Sequence, residues 1–243
     1  MTTLVVGATG ATGKLLVEQL LERGQKVKII VRSTKGLSEQ IQDHPNLSII
    51  EASILELSDE QLADHVKGCS AIASCLGHNL TFKGVFGHPR RLVTDAISRL
   101  CEAVRANSPD TVSKIILMNT TGNINRDLNE RISFAQRCVI FLLRICLPPH
   151  ADNEDAADYL RTKIGQNDPA FEWAAVRPDG LIDQETVTPY ELHPSPTRSA
   201  IFDAGKTSRI NVAHFMAELI ANSKLWNTWK GQMPVIYNKE QIN

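Results

Sequence analysis

The cysteines of this sequence have no pairing pattern. Cys69, Cys75, Cys101, Cys138 and Cys146 are odd in number and show no CxxC spacing, which excludes a disulfide framework and a cysteine zinc site and reads as reduced core residues. Charge of one sign is also missing. With 26 basic against 27 acidic residues the formal net charge is -1, and no basic stripe with interleaved aromatics appears, so nucleic acid is not an expected partner. No HxxxH or His/carboxylate spacing marks metal ligands, and no metal site is expected. The longest apolar stretch, ISFAQRCVIFLLRICL from Ile132 to Leu147, is interrupted by Arg137 and Arg144. It is too short and too charged to span a bilayer, which leaves a helix packed on the body, a homodimer contact or a membrane-surface contact. The first residues run straight into a strand pattern without signal-peptide features, so a cytoplasmic protein is the expectation.

What is present suits one globular domain over residues 1–243. The 42% hydrophobic content can build a sizeable core, and no internal repeat, low-complexity tract or linker divides the chain. Short β-like runs alternate with amphipathic stretches, the pattern of a parallel sheet covered on both faces by helices. Strands are predicted near Leu4–Val6, Lys26–Val31, Leu47–Glu51, Ala71–Cys75, Lys114–Met118 and Trp173–Arg177. Ser58 with Gln61 three residues on predicts a capped helix at SDEQLADHV. Between His88 and Ala106, Leu92, Ala96, Ile97, Leu100, Ala103 and Val104 recur at helical intervals. In SRINVAHFMAELIANS, Asn211 is the predicted cap of a helix burying Ala213, Met216, Leu219 and Ile220.

Right after the first strand comes GATGATG, with Gly7, Gly10 and Gly13 evenly spaced by three. A turn without Cβ atoms lets the backbone bend sharply and lets a pyrophosphate reach the amides of a helix N-terminus, where the dipole favours negative charge. Thr9, Ala11 and Thr12 belong to the same cradle, and Gly13 lets helix pack closely on strand. The end of strand 2 decides which dinucleotide fits. An acidic residue there binds the ribose 2′-OH of NAD, whereas an arginine accommodates the 2′-phosphate of NADP. The chain reads KVKIIVRST, with Arg32 nineteen residues past Gly13 and Ser33, Thr34 and Lys35 behind it. NADPH is therefore favoured over NADH.

GATGATGK, IIVRS, KIILMNTTG, WAAVRPDGL and SRINVAHFM, in that order, resemble the NAD(P)H-binding, NmrA-like atypical short-chain dehydrogenases/reductases. Within them the pattern is most similar to biliverdin-IXβ reductase and its flavin-reductase relatives, from Leu4 to about Tyr237. The resemblance implies an α/β Rossmann-type fold, a doubly wound parallel sheet with helices on both faces. It places the cofactor phosphates on Gly7 to Gly13 and the 2′-phosphate on Arg32. Ser53 and Ile54 would flank the adenine, although this chain reads EASILE where relatives carry an aspartate before the apolar residue. Leu76 and Gly77 would lie along the ribose, Thr120 and Thr121 near the nicotinamide, and Pro178 to Leu181 over its carboxamide.

YLRTK matches the tyrosine and lysine spacing of short-chain dehydrogenases, where the lysine lowers the tyrosine pKa for general acid work. Only fifteen residues separate Lys163 from Pro178, which puts Tyr159 and Lys163 late on their helix and away from the nicotinamide. The catalytic position would fall nearer His150 and Glu154. Without that tyrosine, a conjugated acceptor is the better match, because its proton can come from water. Thr120 or Thr121 would orient the acceptor or merely cap the strand end. His78 could reach the site, and His214 is expected to pack in a helix interface. Residues 183–208 hold Pro189, Pro194 and Pro196, lack periodicity and are expected to form a substrate-side loop. The expectation is an NADPH-dependent oxidoreductase acting on a flavin, quinone or tetrapyrrole-like small molecule. A dinucleotide-binding redox sensor without turnover is the competing class.

Overall fold

The computed structural model describes residues 1–78, 81–108 and 111–239, apart from the side chains of residues 82 and 83. Strands β1 (Thr2–Val6), β2 (Lys26–Val31), β3 (Leu47–Glu51), β4 (Ala71–Ser74), β5 (Ser113–Met118) and β6 (Phe171–Pro178) lie where the apolar runs predict them. Four more follow: β7 (Gly180–Ile182), β8 (Tyr190–His193), β9 (Lys206–Ser208) and β10 (Val235–Asn238). One eight-stranded sheet runs in the order β3-β2-β1-β4-β5-β6-β10-β8, while β7 and β9 form a separate parallel pair. Every pairing in the large sheet is parallel except that of β10 with β8.

Both faces of the sheet are buried, and the period-2 alternation sorts each strand between them. Leu4, Val6, Ile72, Ile115, Leu117, Trp173 and Ala175 pack into one core, and Val5, Ala71, Ala73, Ile116, Ala174 and Val176 into the other. Helices α1 (Ala11–Glu22), α8 (Arg209–Ala221) and α9 (Ser223–Trp229) supply the second core. Helices α3 (Asp59–Val66), α5 (Leu92–Ala106) and α7 (Pro148–Tyr159) supply the first. Two short helices, α2 (Glu39–Gln42) and α4 (Phe82–Phe86), sit in the connections. This is a doubly wound, Rossmann-type α/β domain, and its strand order reverses between β1 and β4. Such sheets open a crevice at the carboxyl ends of the strands at that point.

Several local expectations hold at atomic detail. Ser58 Oγ accepts from Gln61 N while Gln61 Oε1 accepts from Ser58 N, a complete capping box on α3. Ala213, Met216, Leu219 and Ile220 are buried in α8, and so is most of the rest of that helix. Its cap is Ser208, not Asn211. Asn211 is the third helical residue and fully buried, and its amide joins Thr188 and Asn238. The serine wins because the short strand β9 ends directly on it, a connection that periodicity could not reveal.

Three further expectations are corrected. Residues 183–208 are not one loop, because they contain β8 and β9; three- and four-residue strands are too short to show alternation. Cys138 and Cys146 are exposed, so only part of the free cysteine set lies in the core. Finally, Ile132–Leu147 forms α6 (Phe134–Cys146) capped by Ser133, but only Gln136 and Ile140 of this helix are buried. It leans on α7 without sinking its apolar side into the body.

Candidate functional site

The glycine turn joins β1 to α1 and has the steric need for glycine that the sequence predicts. Gly7 has φ of +76°, and a Cβ there would lie 2.5 Å from the backbone carbonyl of Cys75 at the end of β4. Gly13 packs so close to the turn that a Cβ would strike Gly7 O. Gly10 caps α1 by backbone only, donating its N–H to Gly7 O at 3.0 Å, and the first turn carries neither a side-chain cap nor an acidic residue. The amides of Ala11 and Thr12 therefore meet the cleft without a competing internal acceptor. A helix N-terminus in that state suits a phosphate.

The cleft in front of this turn measures about 750 Å³, within the usual range for small-molecule sites. Gly7, Thr9, Gly10, Ala11 and Thr12 line it, together with Arg32 after β2, Ser53 and Ile54 after β3, and Leu76 and Gly77 after β4. Gly36 comes to Thr9 O across the turn, with 3.5 Å left for a Cβ, so the segment behind Arg32 borders the glycine turn. Arg32 is exposed, and no carboxylate partners it among the described residues. The 53–57 segment is pinned from α5, where Arg99 donates to Ile54 O at 2.8 Å and to Leu57 O.

The opposite end of the cleft is built from residues that motif reasoning missed or left aside. His78 follows β4, and its Nε2 lies 2.7 Å from Asp152 Oδ2 on α7. Asp152 is buried and does a second job, because α5 has no side-chain cap of its own. Its Oδ2 accepts from Val93 N at 2.8 Å, and its Oδ1 accepts from Thr94 N at 3.0 Å and from Thr94 Oγ1 at 2.7 Å. One carboxylate thus caps α5 across the interface and holds the His78 ring. Asn119, just after β5, also lines the cleft; its Nδ2 donates to Asn153 O at 2.8 Å and its Oδ1 accepts from Thr120 N at 2.8 Å. Of these four, His78 stood beside a motif and Asn119 inside one, KIILMNTTG, where attention went to the threonines that follow it. Asp152 and Asn153 had no local signal, since their roles come from α7 docking beside α5 and β5.

The chain matches the family model described as NAD(P)H-binding over residues 7–223. It belongs to the NAD(P)H-binding family. Solved structures share its fold along nearly the whole chain. A protein named provisionally as an NADH-flavin reductase from Streptococcus pneumoniae is 20% identical, with a TM-score of 0.68, covering 98% of this chain and 100% of that one. The anaerobillin reductase ChuY of Escherichia coli is 17% identical, with a TM-score of 0.68, and each chain is fully covered. A short-chain dehydrogenase/reductase from Veillonella parvula, solved with NADP, is 13% identical at a TM-score of 0.69, covering 98% of this chain and 94% of that one. An uncharacterized chloroplast protein of Arabidopsis thaliana is 42% identical over 71 residues, 29% of this chain and 25% of that relative's length.

Four residues expected at the site of this NAD(P)H-binding protein do not line the cleft. Gly13 lies behind the glycine turn. Pro178 is buried at the end of β6, and of the expected stretch from Pro178 to Leu181 it is Leu181 that lines the cleft. Thr120 Oγ1 accepts from Gly122 N at 3.2 Å, while Thr121 is buried and its side chain bonds Asp179. Both threonines fasten the turn behind Asn119. Cys75 does reach the cleft, but burial pushes its thiol up to about 12, so it stays neutral and is not a nucleophile.

Tyr159 ends α7 and Lys163 lies in the π-helical turn Leu160–Ile164 that follows; neither lines the cleft. Burial pushes the Tyr159 phenol up, opposite to what a general acid paired with lysine needs, and its side-chain hydrogen bond is with Ser98, not with Lys163. Tyr159→Phe is therefore expected to leave any NAD(P)H-dependent turnover within about twofold of the parent, since no reacting group changes. Steady-state kinetics with a conjugated acceptor checks this; a hundredfold loss would restore the tyrosine to the chemistry. At the α7 position where the paired residues of dehydrogenases were expected stand His150 and Glu154, with His150 Nε2 3.4 Å from Glu154 Oε1. Burial pushes Glu154 up, but His150 and Arg144 outweigh it and hold the carboxyl below its ordinary value.

Proposed function

We propose that this protein is an NADPH-dependent reductase acting on a flat conjugated acceptor such as a flavin, a quinone or a linear tetrapyrrole. The observation that carries the reading is the uncapped N-terminus of α1 opening into the same cleft as Arg32 and the Asp152-held His78. The residues present fit the dinucleotide, because Cβ-free backbone leaves the cradle open and an unpaired guanidinium stands where a 2′-phosphate would come. When bound, NADPH supplies the hydride.

The chain's own residues do the rest. The turn from Gly7 to Thr12 holds the diphosphate through the free amides of Ala11 and Thr12, Gly13 lets α1 approach the turn, and Arg32 neutralises the 2′-phosphate. Ser53 and Ile54 flank the adenine, and Leu76 and Gly77 border the ribose. Thr120 and Thr121 act from behind, fixing Asn119 so that its amide faces the acceptor, and Pro178 carries the backbone that presents Leu181. His78 is the group able to hand a proton to the reduced acceptor, its ring kept in place by Asp152.

Calorimetric titration with NADPH and NADH tests the cofactor assignment. NADPH is expected to bind more tightly, and Arg32→Ala to weaken it about tenfold or more while leaving NADH within twofold, the scale of a lost charge-assisted hydrogen bond. Equal affinity of both nucleotides for the parent protein would overturn the 2′-phosphate assignment. Turnover is read from NADPH absorbance with riboflavin or a soluble naphthoquinone. One observation favours the sensor reading instead: among the described residues no serine, threonine or tyrosine hydroxyl lines the β4–β5 end of the cleft. Tight NADPH binding without oxidation by any such acceptor would support that reading.

A further inference from the structure

We infer that α6 lies in the headgroup plane of an anionic lipid surface. The helix presents a stripe in which Phe134, Phe141, Leu142 and Ile145 are 82%, 61%, 57% and 63% exposed, with Cys138 among them. Spacings of seven and four residues put Phe134, Phe141 and Ile145 on one side of the helix. The attachment to the body is made by the other side. Gln136 and Ile140 are the buried residues, and Arg144 pairs with Glu154 and, at 3.4 Å, with Asp155 on α7. An exposed face of aromatic and aliphatic side chains on a fold whose long helices α1, α5 and α8 bury theirs marks an interaction surface.

Charge decides what covers it. From Arg131 to Leu147 the chain has three arginines and no carboxylate. Arg144 is engaged with α7, whereas Arg131 and Arg137 are exposed without a carboxylate partner among the described residues. In a two-fold pair built on this stripe the same carboxylate-free segment lies on both sides, so it offers Arg131 and Arg137 no acidic partner. A negatively charged bilayer surface satisfies both halves of the patch. Phe134, Phe141, Leu142 and Ile145 enter the acyl boundary, and Arg131 and Arg137 meet lipid phosphates. The helix is 13 residues long and no described helix is long and apolar enough to cross a membrane, so the contact is peripheral. Because α7 carries α6 and also lends Asn153 to the cleft, such a contact would bring that wall of the cleft toward the lipid surface.

The test is co-sedimentation of the full chain with phosphatidylcholine vesicles prepared with and without phosphatidylglycerol. Binding is expected only to the anionic vesicles, weakened by salt, and about tenfold weaker for Phe141→Ser/Ile145→Ser and for Arg131→Glu/Arg137→Glu. All four positions are exposed, so the unfolding transition and NADPH affinity should match the parent and exclude misfolding as the cause. Failure to bind anionic vesicles at low salt, or equal binding to both preparations, overturns the proposal. So does a lipid-free dimer in sedimentation velocity that Phe141→Ser/Ile145→Ser dissolves, because a second copy would then cover the face. None of these outcomes depends on which acceptor the cleft takes.

Discussion

Gly7→Ala is expected to weaken NADPH binding by at least about a hundredfold, or roughly 2.7 kcal/mol. Two costs coincide at this residue. Its φ of +76° lies in the left-handed region, where a Cβ costs about 1–2 kcal/mol. The added atom would also sit 2.5 Å from the carbonyl of Cys75, a residue directly after the central strand β4 whose N–H is held by Val6 O at 2.9 Å. Relief requires β1 and β4 to separate at their carboxyl ends, which opens the turn that presents the α1 amides. Gly24→Ala is the matched control, because Gly24 has φ of +71° but nothing within 4 Å of its Cβ position. It carries the conformational cost alone and is expected to destabilise the fold by about 1–2 kcal/mol with unchanged NADPH affinity. Calorimetry on both variants, with circular dichroism to verify folding, separates the two effects. Parent-like binding by Gly7→Ala would show that the turn is not the cradle.

The largest expected stability effect belongs to a pair that no motif announced. Arg177 on β6 and Glu130 are both buried, with Arg177 Nη2 2.7 Å from Glu130 Oε1. The guanidinium donates further to Met233 O at 2.7 Å, Asn123 O at 2.9 Å and Pro194 O at 3.1 Å. Glu130 in turn accepts from Asn125 N at 2.9 Å. One side chain therefore fastens the segment after β5, the approach to β10 and the segment after β8 to the sheet. Removing one partner strands a buried charge, and Arg177→Leu is expected to cost about 3–5 kcal/mol. For a chain of this length that lowers the melting temperature by roughly 10 °C. Arg177→Leu/Glu130→Leu should be more stable than the single variant, since no charge is left unpaired. Urea unfolding of the four proteins checks the cycle. A loss under about 1 kcal/mol in the single variant would show that water reaches the pair.

How far the site could be read in advance depended on the range of the interactions that build it. The glycine turn is local: strand, glycine spacing and helix onset fall within thirteen residues, and backbone sterics alone dictate the pattern. Arg32 was legible for a related reason, since strand 2 ends at a fixed distance from the turn and every βαβ unit returns it to the same edge. The threonines show where this reasoning stops. KIILMNTTG marked the end of strand 5, yet which residue faces the cleft depends on where the strand releases its register, and the structure gives that place to Asn119. Likewise Asp152 is one acidic residue among several in a helix rich in them. Its importance comes from the N-terminus of α5 standing opposite, sixty positions earlier in the chain.

By itself the sequence determined the alternation of strands and helices, the two-sided burial of the sheet, and the glycine turn with the arginine beside it, because hydrophobic period, backbone sterics and charge act over a few residues. It also set the arginine-flanked, carboxylate-free composition of α6. Only the tertiary structure decided that the apolar side of α6 faces outward, since an amphipathic pattern states that a face is apolar but not what covers it. The same holds for the short strands β7 to β10, the His78–Asp152 pair and the buried Arg177–Glu130 contact. Each joins residues distant in sequence, and their energies exist only once the desolvated groups have been brought together by packing.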